Sequence, residues 1–278
     1  MSESKVFFIT GVSSGLGKAF AEAALAAGHK VAGTLRNADA ASAFSADPTG
    51  RALGILLDVT DFDAIPGAVA KAEAAFGPID VLVNNAGYGH EGIFEETTLE
   101  EMRRQFDANV FGAVAMMKAV LPGMRTRRSG TIVNVTSMGG FITMPGITAY
   151  CGSKFALEGI SEVLGKEVKS VGVHVIALAP GQFRTDWAGR SMVRTGRSIA
   201  AYDAVIDPIR AARKEKSGKQ PGDPAKAAEV LLQLVESDNP PTRLFLGADA
   251  LKLVGEKIDA MQQEIAAWED VSRSTDFD

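Results

Sequence analysis

The chain is poor in the residues that build cross-links and metal cages. Its 278 residues include one cysteine, Cys151, and three histidines. A lone thiol excludes an intrachain disulfide, so a reducing compartment is expected, and no metal ligand set is assigned. Cys151 reads as a small side chain wedged into a packed helix. Charge of one sign never accumulates: 29 Lys and Arg against 34 Asp and Glu give a net −5. Without long acidic or basic runs, nothing marks a surface for nucleic acid or an anionic membrane. The one basic stretch, "RAARKEKSGKQ" at 210–220, reads as a solvated face or loop. Long hydrophobic runs are missing too, since no stretch reaches the ~18 apolar residues a membrane helix needs. The N-terminal "MSESKVFFITGVSSG" ends its short apolar run at a glycine and lacks the core of a signal peptide. The expectation is a soluble, cytoplasmic protein that meets neither nucleic acid nor membrane. Internal repeats and low-complexity tracts are also absent.

What is present is a regular alternation. Short, β-branched apolar runs occur at 5–10, 29–35, 51–59, 79–85, 130–137, 173–180 and 242–247. Between the first six lie stretches with helical spacing, including 15–27, 61–76, 99–122 and 148–171. Strand and helix repeated in this way predict an α/β fold, a Rossmann-type doubly wound parallel sheet of about seven strands with helices on both faces. The runs are almost continuously apolar, as strands buried on both sides require. At 46% hydrophobic, residues 1–278 can form one domain. The segment 183–225 breaks the alternation by adding about forty residues before the next helix, and such insertions are usually lids or binding loops.

An open parallel sheet binds its ligand outside the carboxyl ends of its strands. There the sequence places "TGVSSGLG", Arg36, Asp58, Val59, "NNAG", Ser137 and "PGQFRT". The first of these puts Gly11, Gly15 and Gly17 between a strand and a helix, where the backbone can turn sharply and bring a pyrophosphate to the positive helix N-terminus.

The spacing T-G-x-x-x-G-x-G, together with "NNAG" at 84–87 and "YCGSK" at 150–154, resembles the short-chain dehydrogenase/reductase family. The likeness covers about residues 5 to 186 and fades after 190. It implies a nicotinamide cofactor held by Gly11, Ser13, Ser14, Gly15, Leu16 and Gly17, by Asn85, Ala86 and Gly87, and by the Asp58–Val59 pair at the adenine edge. Pro180, Gly181 and Thr185 of "PGQFRT" would meet the nicotinamide carboxamide. It implies chemistry at Tyr150 and Lys154, both of which also contact the cofactor, with Ser137 donating to the substrate oxygen. Asn109 would hold a helix kink and a water that links Lys154 to solvent.

The residues themselves support that reading. Tyr150 and Lys154 are four apart in a helical stretch, which brings their Cβ atoms to ~5–6 Å on one face. A phenol is a poor base at neutral pH, and an ammonium ~4 Å away in a partly buried site should pull its pKa well down. Tyr150 could then exchange a proton with a carbonyl or hydroxyl oxygen. Each residue taken singly has a bland reading, as a surface pair, a strand-end serine or a helical asparagine; taken together they fall where one oxidoreductase site needs them.

Cofactor choice is read at the end of the second strand. "GTLRNAD" has Leu35 where the family carries an aspartate, followed by Arg36, whose guanidinium can stack on adenine and pair with a 2′-phosphate. NADP(H) is therefore favoured over NAD(H). The substrate pocket is expected from Gly139 to Met144, Tyr88 to His90, and Phe183, Trp187, Met192 and Tyr202. Those residues are mainly apolar, so a hydrophobic ketone or secondary alcohol fits better than a sugar phosphate. His90 reads as an exposed loop residue. The family likeness further implies a homodimer or homotetramer through 99–122 and 148–171. The alternatives weighed are a catalytically weak nucleotide-binding sensor or scaffold, and a sugar epimerase or dehydratase on a related fold.

Overall fold

The computed structural model describes residues 4–277. The chain runs β1 (Val6–Ile9), α1 (Gly15–Ala26), β2 (Lys30–Leu35), α2 (Ala38–Ser45), β3 (Ala52–Leu56), α3 (Ile65–Phe76), β4 (Val81–Asn84) and β5 (Gly89–Glu91). It continues through α4 (Leu99–Phe106), α5 (Gly112–Arg127), β6 (Gly130–Val135), α6 (Thr148–Val168), β7 (Val173–Pro180) and β8 (Met192–Arg194). It closes with α7 (Asp203–Lys216), α8 (Pro224–Glu236), β9 (Arg243–Leu246), α9 (Ala248–Ala267) and α10 (Glu269–Arg273).

Seven strands form one parallel sheet in the order β3-β2-β1-β4-β6-β7-β9. All seven are the expected apolar runs. Their side chains alternate between two cores. Phe7 and Ile9 join Phe20 of α1 and Leu231 of α8 on one face, while Phe8 and Leu82 join Val69 of α3 and Met116 of α5 on the other. Burial on both faces explains why these strands read as continuous hydrophobic runs. Helix α2 lies directly on β3, since a Cβ at Gly54 would stand 2.0 Å from the Ala41 carbonyl oxygen.

Two features depart from the sequence expectation. The 183–225 segment contains a helix, α7, and a strand, β8, which pairs in parallel with β5 as a separate two-stranded sheet. Each of these strands has three residues, too few to show an alternation. The helical stretch after residue 99 is also interrupted. Asp107–Phe111 forms a π-helical turn between α4 and α5, a feature often found at functional sites. No helix among the described residues is long and apolar enough to cross a membrane.

Candidate active site

A cleft of about 1410 Å³ opens along the carboxyl ends of the strands. Its lining takes in Gly11, Ser13–Leu16, Arg36, Asp58, Val59, Asn85–Tyr88, Ser137, Tyr150, Lys154, Pro180, Gly181 and Thr185. Two expected site residues, Gly17 and Asn109, stand one layer behind it.

The turn between β1 and α1 is locked from below. Gly11 and Gly15 take φ of +74° and +59°, which glycine adopts without steric cost. Gly17 has no room for a side chain, because a Cβ there would lie 2.2 Å from the Gly11 carbonyl oxygen and 2.3 Å from Asn85 Nδ2. That amide donates to the carbonyl oxygens of both Thr10 and Gly11 at 3.0 Å. The Thr10 hydroxyl in turn accepts from the backbone N–H groups of Asn85 and Ala86. The N-terminus of α1 begins at Ser14, whose side chain does not cap it, so the first amides of the helix stay directed to the cleft. An anionic pyrophosphate suits that end, and Arg36 at the end of β2 supplies a cation further along. Asp58 is folded into its own turn, with Oδ1 accepting from the Thr60 N–H at 3.0 Å and hydroxyl at 2.8 Å. Within the described residues, this set fits a nicotinamide dinucleotide.

Helix α6 carries Tyr150 and Lys154, both buried. Lys154 Nζ donates to the Val135 carbonyl oxygen at 2.7 Å and lies 5.9 Å from the Tyr150 ring centroid. Ser137 follows the end of β6, its Oγ oriented by the Gly139 N–H at 3.0 Å. The Tyr150 ring packs edge-on against Trp187, with centroids 5.1 Å apart. Burial pushes the phenol up to about 12, opposed by the hydrogen bond with Ser137 and assisted by Cys151. Burial lowers the Lys154 ammonium to about 8, opposed by the Glu158 carboxylate. The expected lowering of Tyr150 by Lys154 is thus not found in the protein alone: the ammonium is held against a strand carbonyl, and desolvation of the phenol dominates.

Asn109 sits in the π-helical turn and bridges three elements. Its Nδ2 donates to the Tyr88 carbonyl oxygen at 3.2 Å and to Ser153 Oγ at 3.1 Å, while its Oδ1 accepts from the Tyr88 N–H at 3.1 Å. The Ser153 hydroxyl donates to the Tyr150 carbonyl oxygen at 2.7 Å. Gln105, fully buried, adds a second donor to the Tyr88 carbonyl oxygen at 3.0 Å. Thr185 Oγ1 receives the Trp187 N–H at 3.4 Å, so it starts a short helical turn while lining the cleft.

The substrate end differs most from expectation. His90 is 1% exposed in β5; its Nε2 stands 3.2 Å from Thr195 Oγ1 and 3.8 Å from Glu101 Oε1. It is a buried strand residue that still lines the cleft, and burial lowers its pKa against the raising effect of Glu101. Of the other residues expected here, Tyr88, Met144, Phe183 and Trp187 line the cleft, whereas Met192 is buried in β8. Tyr202 is turned outward, its hydroxyl donating to Glu95 at 2.6 Å. The unexpected contribution comes from α7, where Ile209, Ala212, Arg213 and Lys216 line the cleft. Their i, i+3, i+4, i+7 spacing is one helix face, a signal present in the sequence but hidden within the basic run. The lining is therefore more charged than expected.

That basic run is also not simply solvated. Glu91, 1% exposed, takes Arg213 Nη1 at 2.7 Å, Arg210 Nε at 2.9 Å and Arg194 Nε at 3.3 Å. Arg213 Nη2 further donates to the Pro145 carbonyl oxygen at 3.3 Å. One buried carboxylate thereby ties α7 and β8 to β5.

Comparison with known proteins agrees with this geometry. The short chain dehydrogenase family model matches residues 5–194. The chain is 37% identical over 269 residues to Oxidoreductase BOA17 of Botryotinia fuckeliana, covering 96% of this chain and 98% of that protein. A crystal structure of a short-chain dehydrogenase from Streptomyces avermitilis superimposes with a TM-score of 0.91 at 42% identity, covering 98% of this chain and 100% of that one. The structure of ElxO with NADP bound gives a TM-score of 0.74 at 26% identity, covering 90% and 100%. With its glycine turn, its Asn-Asn-Ala-Gly segment and its tyrosine and lysine at one cleft, this chain belongs to the short-chain dehydrogenase family and is an oxidoreductase.

Proposed function

We propose that this oxidoreductase is an NADP(H)-dependent carbonyl reductase or secondary alcohol dehydrogenase acting on a largely hydrophobic substrate. The observation that carries the reading is the convergence of Ser137, Tyr150 and Lys154 in the cleft that begins at the glycine turn and passes Arg36. A nicotinamide held in this cleft would be the group that supplies or accepts a hydride. Tyr150 gives its phenolic proton to the substrate oxygen in reduction and recovers it in oxidation, and Ser137 donates a second hydrogen bond to the same oxygen. A phenol kept protonated by burial is ready as an acid. Lys154, the nearby cation, favours the phenolate once the proton has left. Asn109 holds the Tyr88 backbone and Ser153, and through Ser153 the start of the helix that bears Tyr150.

NADP(H) over NAD(H) is supported by Arg36 in the cleft and by Leu35 in place of a strand-end carboxylate. ElxO, by its name, binds NADP. Residues 1–278 act as one catalytic unit in this reading, with 183–225 as a lid over the substrate. A cytoplasmic location accords with the single buried thiol. A homodimer or homotetramer is supported by the apolar side chains left exposed along α4 to α6: Leu99, Phe111, Phe155 and Val163.

A panel of apolar ketones and secondary alcohols, followed by nucleotide absorbance with NADPH and with NADH, tests the proposal. Turnover with NADPH on at least one apolar ketone is the expected result. Turnover confined to sugar or nucleotide-sugar substrates would overturn it.

A further inference from the structure

Helix α9 continues well past the body of the protein. Its first turns are anchored, with Ala250 and Val254 packed against Met138 and Ile142. From Glu256 onward every residue through Phe277 is exposed. The overhang of α9 is twelve residues, Glu256 to Ala267, and isolated helices shorter than about 12–15 residues are marginal in water. Something should cover it.

The sequence of the overhang indicates what. Leu251, Val254, Ile258, Met261, Ile265 and Trp268 recur at alternating steps of three and four, the a and d positions of a coiled-coil seam. The same stripe that buries Val254 in the protomer runs on into solvent, leaving Ile258 and Met261 each 41%, Ile265 66% and Trp268 61% exposed. We infer that this stripe pairs antiparallel with α9 of a second copy of the chain.

The orientation follows from register and charge. Set antiparallel, Ile258 meets Met261 of the other helix twice about the two-fold axis, and Leu251 meets Trp268 at either end. Ile265 then comes down beside Val254, where the other helix leaves its own core. In that arrangement the flanking Lys257 faces Glu264 of the other copy, once on either side of the two-fold axis, which is favourable. A parallel pair would instead set Lys257 against the neutral Gln262, which gains no charge pairing. The overhang and tail are rich in acids, with Glu256, Asp259, Glu264, Glu269 and Asp270 against Lys257 and Arg273, so an anionic membrane is a poor occupant. The seam is short, so the pairing belongs to the weak, concentration-dependent class of interface. It uses different elements from α4 to α6 and does not depend on the proposed chemistry.

Sedimentation velocity of the full chain at micromolar concentration, with and without I258E/I265E, is the test. Because Ile258 and Ile265 are exposed in the protomer, the variant should keep the wild-type melting temperature and activity while the largest assembly halves in mass. K257E should weaken association several-fold, and K257E/E264K should restore it. Register is read by mixing I258C chains with size-tagged M261C chains under mild oxidation: the mixed disulfide should form faster than either homodisulfide. An unchanged mass in I258E/I265E, as would follow if a foreign protein or another face of this chain covered α9, overturns the inference. So does a faster homodisulfide in I258C, which is the parallel arrangement.

Discussion

The ammonium of Lys154 is fastened to the carbonyl oxygen of Val135 at 2.7 Å and stands 5.9 Å from the centre of the Tyr150 ring. The pair is thus assembled by the end of β6 as much as by helix spacing. Helical geometry puts the two residues on one face, but the strand carbonyl decides where the charge sits. In the protein alone it does not offset the cost of ionising a buried phenol, and Tyr150 remains an acid at neutral pH.

Tyr150→Phe removes one oxygen and preserves the edge-on packing with Trp187. Folding and nucleotide affinity should be nearly unchanged, while turnover falls on the order of 10²–10⁴-fold, the usual general acid–base contribution. Steady-state kinetics beside a thermal melt checks this. Retention of more than about a tenth of wild-type turnover would remove Tyr150 from the proposed role.

Lys154 gives a pH signature with two opposite limbs. Its charge is present below about 8 and lost above it, so nucleotide affinity should decline as pH rises through 8. Stability should move the other way. The folded-state value lies below the ordinary 10.5, so between the two the unfolded chain binds more protons, and the folded state gains stability as pH rises through that window. Lys154→Met should flatten both limbs. Nucleotide titrations and melting curves from pH 7 to about 10.5 read them separately.

Arg36→Ala should weaken NADPH binding by roughly 1.5–3 kcal/mol, the worth of a hydrogen bond to a charged group, and hardly affect NADH. Leu35→Asp should shift preference towards NADH, because the new carboxylate accepts from ribose hydroxyls and repels a 2′-phosphate. The comparison is kcat/KM for both nucleotides across wild type and the two variants. A wild type that already prefers NADH would refute the strand-two argument, and an equal loss for both nucleotides in Arg36→Ala would reduce that residue to adenine stacking.

Glu91→Gln leaves three arginines facing a neutral amide in a buried pocket. Removing one partner of a buried ion pair costs about 3–5 kcal/mol, and the low end applies because Arg194 and Arg210 keep part of their hydration. A melting temperature lowered by several degrees is expected. KM should rise more than kcat falls, because the variant loosens α7 and β8 over the cleft and leaves Tyr150 and Lys154 in place. A kcat loss at unchanged KM would contradict the tie between Glu91 and the substrate end.

The parallel sheet and the line of cleft residues along its carboxyl edge were determined by the sequence. All seven long strands, the glycine turn and the Tyr150–Lys154 pair are encoded over short spans, where periodicity and chirality leave few choices. What lay outside that reach came from contacts across long stretches of chain. His90 looked like a loop residue until Thr195, 105 positions away, met it. Arg213 looked like part of a solvated run until it met Glu91, 122 positions away. A three-residue strand carries no pattern of its own, and no local spacing states that a buried carboxylate will gather arginines from a distant helix. The same holds for the phenol of Tyr150. The sequence determined which groups would share a site, whereas the tertiary structure decided how dry the site is and where the lysine points, and those two facts set the pKa values.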